Sequence, residues 1–546
     1  MLLPLILGGF VAGLLLLVLP RDWTAGWELG HSRRGAAPPP EPPKPQFQSN
    51  GDAPPEDGAM DLNPMRDEAA ERILALLRQK LEDKEARDHE ALLNFKTEEA
   101  YRAFLARAAA AGLKVLDQLD GFRTVRVGYG DLKDLQKDLL AHAADYGEVG
   151  ANYIAYHPGT PPKEERAAQS ELAFGDSMLG FLGVMGDHSQ WGKGVTVAIL
   201  DSGVASDAAF GTGRLRYLDI GQGLIGSAEG DGHGTAVGYL AAGDEGIAPG
   251  ASLLSIKVTG ADGTSDLFTL AKGIRTAVDS GAQIINISLG AYENSSLLSS
   301  AITYAAARGV LIVAPSGNDQ AAQMTYPAAD SRVVSVGAVD ALGQQATFSN
   351  SGQGLKITAP GYGLDAAWLN GERVSFDGTS GSSPIVAGSI AAVMSESPGL
   401  NATQAWAILQ QYTSDGGAPG ADNSYGSGIL NLGWAMNRNN PARVDTAVSS
   451  HYYNNQTGQM EFVVQNRSGT AVNGVTLNIT GNQGQTNYPL PALNAGASTT
   501  ISVPVNQYSL NQATQGLSFR SQLLNPSGVT DAMPSNNQKA STVSRQ

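Results

Sequence analysis

Residues 195–203 read VTVAILDSG. The first six are aliphatic or β-branched without polar alternation, the pattern of a strand buried on both faces of a parallel sheet. The run ends on Asp201, and Ser202-Gly203 follow as a turn. In an open α/β sheet the carboxyl ends of the strands are where reacting groups gather. Outward from this stretch the same grammar repeats. SLLSIKV, IINISL, VLIVAP and VVSVGAV are further short buried runs. Between them lie TAVGYLAAG, DLFTLAKGIRTAVDSG and SSLLSSAITYAAARG, each helical in period and stopped by Gly. Strands alternating with helices predict an α/β domain over 171–440, a doubly wound, mostly parallel sheet.

A serine nucleophile in acyl transfer needs an imidazole base, a carboxylate that orients it, and donors for the oxyanion. Each part has a candidate at a strand end or helix start. Asp201 is the carboxylate. His233 sits in DGHGTAVGYLAAG, between two glycines that leave room for close approach. Ser380 sits in DGTSGSSPIVAGSIAAV, between a Gly-Thr turn and a helix beginning near Pro384, where the helix dipole favours negative charge. Asn318, in VLIVAPSGND, offers a side-chain N–H beside the backbone N–H of Ser380. Taken alone, Asp201-Ser202-Gly203 reads as a strand-end turn and His233 as a satisfied helix-start histidine. The four together read as one site. Asn350 and Asp377 read as structural. His142, His157 and His188 read as solvated or packing histidines, with no metal partners at suitable spacing.

The windows VTVAILDSG, DGHGTAV, SIKVTGADGTS, IINISLG, VLIVAPSGN, YPAADSRVVSVGAVD, FSNSG, ITAPG and DGTSGSSPIVAG, in this order, resemble the signature set of the subtilisin-like serine proteases. The resemblance covers about half the chain, from Glu171 to Asn437. It implies an endopeptidase with Ser380 as nucleophile, His233 as proton shuttle, Asp201 as orienter and Asn318 at the oxyanion. It further implies that Gly263, Thr264 and Ser265 on one side, and Ser288, Leu289 and Gly290 on the other, clasp an extended polypeptide substrate. Ala314, Pro315 and Ser316, with Ala328, match the walls of the pocket for the residue before the scissile bond. Pro315 stands where the family usually has Ala, and Ala328 where Gly is frequent, so the pocket is expected to prefer small or medium apolar residues. Gly381 replaces an oxidisable Met found in many members, which leads us to expect tolerance to peroxide. The loop AAGDEGIAPG is too short for the family's calcium-binding loop, so no cofactor is expected and a structural calcium is not supported there.

The flanks have other textures. Residues 67–90 show helical spacing at Ile73, Leu74, Leu77 and Leu81. From 91, ALLNFKT, EEAYRAFLARAAAAG, LKVLDQL, FRTVRVGY, DLKDLQKDLLAHAA and ANYIAYH give the order βαββαβ, with a tight turn at Asp120-Gly121. That order makes a small ferredoxin-like domain, ending at 157, which resembles the family's propeptide, a folding aid and intramolecular inhibitor. Residues 158–170 are a polar, Pro-rich connector. After Pro441 short strands separated by Asn, Gly and Ser turns, without helical periodicity, predict a sandwich of about seven strands over 441–546, a spacer or a docking module for a surface or protein partner.

The net charge of -16 argues against nucleic acid, whose phosphates would be repelled, and the absence of Cys excludes disulfides, thiolate metal sites and a thiol nucleophile. Leu2–Leu19 is uncharged and apolar, about 27 Å long as a helix, and reads as a signal peptide or a membrane anchor. Residues 21–66 are a Pro-rich linker. The expected location is exported, periplasmic or extracellular, although Arg21, Arg33 and Arg34 would hold their side of a membrane in the cytoplasm. Two functions are carried forward: a self-processing zymogen of an exported endopeptidase, and a membrane-tethered adhesion protein whose protease acts only on itself.

Overall fold

The computed structural model describes residues 75, 77–159, 171–205, 208–221, 231–260, 262–481, 484–513 and 516–544. The apolar segment 2–19 and the linker 21–66 lie outside them. Among the described residues no helix is long and apolar enough to cross a membrane. The chain divides between Asn152 and Tyr153 into two compact units.

The first unit is a four-stranded antiparallel sheet, β1 (Glu90–Phe95), β2 (Leu113–Leu119), β3 (Thr124–Tyr129) and β4 (Tyr146–Gly150), in the order β2-β3-β1-β4. Helix α1 (Glu98–Arg107) follows β1 and helix α2 (Leu132–Ala141) follows β3. Each starts on a side-chain cap that takes up a free helix N–H: Thr97 accepts from Ala100 and Asp131 from Lys133. Phe95, Phe104 and Tyr146 pack ring against ring in its core. The β2–β3 link is one 3-10 turn over Asp120–Phe122 with Arg123 left-handed, not the tight two-residue turn read from Asp120-Gly121.

One expectation fails here. ANYIAYH is not the fourth strand. That place is taken by Tyr146–Gly150, which registers Tyr146 opposite Phe95 and Val149 opposite Leu93, so that their side chains enter the core. The chain then leaves this sheet, and Ile154–Ala155 (β5) pairs elsewhere.

The second unit contains a seven-stranded parallel sheet: β6 (Thr196–Asp201), β7 (Leu215–Asp219), β8 (Ser252–Lys257), β10 (Ile284–Ile287), β11 (Leu311–Pro315), β12 (Val334–Val339) and β13 (Ile357–Pro360). Its order is β13-β12-β11-β10-β6-β8-β7, so β6 lies inside the sheet between β10 and β8. The two-residue β9 (Ser265–Asp266) runs into helix α4 (Leu267–Asp279), and α5 (Ser296–Ala306) follows β10. These two helices pack together, and Leu200 of β6 meets α4 at Gly273. Helix α3 (Asp231–Ala242) and the 18-residue α6 (Thr379–Glu396) pack together against Val197, Ile199, Val313 and Val336. With helices on both sides, Val197 to Leu200 are all essentially buried, which is why the run VTVAIL shows no alternation. A short ribbon, β14 (Leu364–Ala367) with β15 (Arg373–Phe376), precedes α6.

The last part is all-β. A three-stranded antiparallel sheet of β16 (Thr446–Asn454), β17 (Gln459–Asn466) and β20 (Ser498–Pro504) accompanies a four-stranded one of β18 (Thr476–Gly481), β19 (Gly484–Pro489), β21 (Leu517–Leu524) and β22 (Gln538–Val543). One apolar cluster including Phe462, Leu477 and Phe519 joins them. A short helix, Gln507–Gln512, interrupts a stretch expected to lack helix. Gln465 donates to the Thr413 carbonyl at 3.1 Å and Ser450 to the Asp415 carboxylate at 2.7 Å, tying these sheets to the α/β part.

Candidate active site

Asp201 is the last residue of β6 and is fully buried. Its Oδ1 accepts from the Ser202 N–H at 2.7 Å and from His233 Nδ1 at 2.8 Å. Burial works against its charge, but His233, His157 and these hydrogen bonds outweigh it and hold the carboxyl below its ordinary range. His233 stands in the first turn of α3. A Cβ at Gly234 would lie 2.2 Å from the Gly203 carbonyl oxygen, and one at Gly232 would lie 2.2 Å from the Trp368 ring. Only glycines let this helix start come close enough for His233 to reach Asp201.

Ser380 is the second residue of α6, which begins at Thr379 rather than near Pro384. The proline sits inside the helix and cannot donate to the carbonyl of Ser380 four residues back. The Ser288 hydroxyl faces that carbonyl instead, at 3.4 Å. Ser380 Oγ is buried and has no hydrogen-bond partner. At the next residue, Gly381, a Cβ would fall 2.8 Å from Leu364 Cδ1 and 3.2 Å from the Phe376 ring, so those side chains would have to shift to admit a larger residue.

Asn318 is buried on the loop after β11. Its Oδ1 accepts from the N–H and the hydroxyl of Thr379, at 3.0 and 2.7 Å, which turns its Nδ2 outward as a donor. Thr379 was not among the residues singled out from sequence. The Gly-Thr-Ser order was the available signal, since a hydroxyl beside the nucleophile is well placed to orient an amide. Asn350 is structural, as expected: its Oδ1 accepts from Asp319 and Ala321 N–H, both at 2.9 Å, and fixes the loop that carries Asn318. Asp377 accepts from the Gly363 N–H at 2.6 Å.

An extended stretch of the chain itself crosses these residues. Tyr153 accepts from the Leu267 N–H at 3.0 Å. Ile154 and Ala155 register antiparallel with Asp266 and Ser265. Tyr156 and Gly290 exchange two backbone bonds of 2.9 Å. The carbonyl oxygen of Pro158 then accepts from Asn318 Nδ2 at 2.8 Å. Ser265 and Gly290 thus meet this stretch directly, while Gly263 and Thr264 form the turn that leads into β9. Leu289, Ala314, Pro315, Ser316 and Ala328 are all buried.

His157, read from sequence as a solvated or packing residue, lies at the centre. Its ring sits 3.9 Å from the His233 ring, centroid to centroid. Its Nδ1 is 3.1 Å from the Ser288 carbonyl oxygen and must carry the hydrogen, because a carbonyl only accepts. Its Nε2 is buried, unpartnered and 3.8 Å from Asp201 Oδ1. Burial and the neighbouring His233 push the imidazole down to about 4, against the pull of Asp201. No sequence motif marks this residue, because its hydrogen-bond partner, Ser288, is 131 positions away.

His157, Asp201 and His233 form the one cluster of metal-capable groups among the described residues, with ligand atoms within 4.8 Å of one another. In the loop after α3, Asp244 is paired with Arg214 at 2.8 Å and Glu245 with Arg373 at 3.2 Å.

Chemically, this geometry transfers an acyl group. The buried carboxylate fixes the tautomer of His233, the hydroxyl waits at a helix start, and the amide meets a peptide carbonyl oxygen. The class is a serine hydrolase. The Subtilase family matches residues 192–428. Subtilisin BL and subtilisin Savinase of Lederbergia lenta are each 36% identical to the chain over 247 residues, 44% of this chain and 90% of theirs. Alkaline elastase YaB of Bacillus sp. (strain YaB) is 36% identical over the same length, 64% of its own chain. The solved protease domain of PatA, in a serine-to-alanine variant, gives a TM-score of 0.43 at 29% identity, over 46% of this chain and 97% of that one. The chain belongs to the subtilase family and is a subtilisin-type serine endopeptidase.

Proposed function

We propose that the protein is made as an exported zymogen that processes itself and then hydrolyses other polypeptides. Ser380 attacks the peptide carbonyl, and His233 takes its proton and passes it to the leaving amine. Asp201 holds His233 in the productive tautomer. The Asn318 Nδ2 stabilises the oxyanion, and Thr379 positions Asn318. The domain up to residue 152 serves as the prodomain, with the stretch after it as the inhibitory tail. No step calls for a metal or organic cofactor. Leu2–Leu19 supplies the export signal.

One observation carries this reading: residues 153–158 run through the cleft as an added strand, with the Pro158 carbonyl oxygen on Asn318. A strand seated there excludes other substrates until it is cut and released. Ser380→Ala tests the reading. The variant is expected to accumulate at full length and to leave an unfolded protein such as reduced casein intact, while the wild type does neither. A Ser380→Ala chain that still shortens itself in purified form would remove the assignment.

A further inference from the structure

We propose that the self-processing cut falls between Pro158 and Gly159, and that His157 supplies the hydrogen bond a proline cannot make; this rests on the zymogen reading above. The ladder fixes the register. Tyr156 and Gly290 exchange both backbone bonds, so they form a hydrogen-bonded pair of an antiparallel ladder. The next such pair lies two residues further along each strand, Pro158 opposite Ser288. An ordinary residue at 158 would donate its N–H to the Ser288 carbonyl. Proline has none, and the Ser288 carbonyl receives His157 Nδ1 instead, at 3.1 Å. The imidazole replaces the missing backbone donor and braces its own residue against His233.

The same register delivers the carbonyl of Pro158 to the oxyanion donor. Asn318 Nδ2 lies 2.8 Å from that oxygen, and no other carbonyl of the stretch is bonded to it. Ser380, adjacent to the Thr379 that holds Asn318, has its hydroxyl buried and unengaged. In the cut, Ser380 Oγ bonds to the Pro158 carbonyl carbon and the Pro158–Gly159 amide bond breaks. The Ser380 proton, carried by His233, goes to the Gly159 nitrogen, which leaves as a new amino terminus. Water then hydrolyses the Pro158 ester, returning Ser380 and leaving a Pro158 carboxylate. The neighbouring His157–Pro158 bond is not a competing site, since its carbonyl is not on the donor. Gly159 is exposed, so the leaving side opens to solvent.

The test is a time course on the full-length chain, reading the carboxyl terminus of the first N-terminal fragment by mass. That terminus is insensitive to later trimming of the protease. A first fragment ending at Pro158 is expected. Gly159→Pro, which makes the scissile amide tertiary, should slow its appearance more than 100-fold. His157→Ala should slow the cut about tenfold without moving it, the effect of one lost hydrogen bond. His157→Asn, which keeps a donor, should recover part of that rate. A first fragment ending anywhere else, for example within 160–170, overturns the site and leaves the zymogen reading standing. A wild type that digests casein without cutting itself overturns both. A His157→Ala rate equal to wild type overturns the role given to the imidazole.

Discussion

The helix that carries His233 and the extended segment that carries His157 bring two imidazoles to one carboxylate by different means. His233 is held by local architecture: a helix start between two glycines, 2.8 Å from Asp201 and donating to it. His157 is held by the register of the β5–β9 pairing and the Tyr156–Gly290 bonds and by its Nδ1 bond to the Ser288 carbonyl, and turns a bare nitrogen toward Asp201 at 3.8 Å. The first arrangement is permanent machinery. On the zymogen reading proposed above, the second lasts only while the strand stays in the cleft. Permanence shows in the sequence as a motif, and transience does not.

His233→Ala should abolish both self-processing and hydrolysis of added peptide, by about 10^6-fold in kcat, the magnitude known for the corresponding loss in subtilisin. Single-turnover rates would measure it. A residual activity above one per cent would mean that His157, or another group, can serve as base.

Asp201→Asn should cost about 10^4-fold in kcat, the range known for this exchange in serine proteases. It keeps the shape but offers an amide where His233 needs an acceptor. It should also change what His157 faces: the neutral amide no longer opposes the unprotonated Nε2. The retained strand should therefore be bound at least as tightly at pH 8 as in the parent. Weaker retention would show that Asp201 attracts the segment instead.

Asn318→Ala should lower kcat by about 10^2- to 10^3-fold with little change in KM, the span known for the oxyanion side chain of subtilisin. Thr379→Val removes one of the two bonds that aim the Asn318 amide, and about a tenfold loss is expected. Steady-state kinetics on a peptide anilide decide both. A Thr379→Val effect on KM alone would deny Thr379 its positioning role.

How much of this was legible follows from where the information resides. Asp201 ends a strand, His233 and Ser380 open helices, and Asn318 follows a strand on a Gly-containing loop, and local pattern marks such places. The alternation of buried strands and helices likewise announced the doubly wound sheet. ANYIAYH was legible as extended backbone, but which sheet an extended run joins is a long-range matter. Tyr146 and Val149 fill the small domain's core, and residues 153–156 pair instead at 265–267 and 290. His157 inherited that ambiguity. Its chemistry comes entirely from Asp201, His233 and Ser288, none of them near it in the chain. The strand β7 was missed for a related reason. It is an edge strand whose residues are largely exposed, so it lacks the apolar run that marks its neighbours.

The last effect expected is on pH. Seated in the cleft, His157 is pushed down to about 4, whereas a free histidine titrates near 6.5. The released segment therefore binds more protons than the seated one between these values. Retention is fully present above about pH 6.5, weakens as pH falls through that window, and levels off below about pH 4. The groups facing the imidazole are Asp201 and His233. Asp201 favours its protonation, His233 opposes it, and burial outweighs both. A side chain one-fifth exposed is partly relieved by solvent. The expected change is thus at least tenfold and at most about 10^2-fold in the dissociation constant between pH 7 and pH 4.5. Gel filtration of the processed protein at a series of pH values, following co-elution of the N-terminal fragment, gives the measurement without relying on turnover. His157→Ala should flatten the curve while leaving the fragment bound at neutral pH. If the parent and His157→Ala curves coincide, the second imidazole is a spectator and only His233 belongs to the chemistry of Asp201.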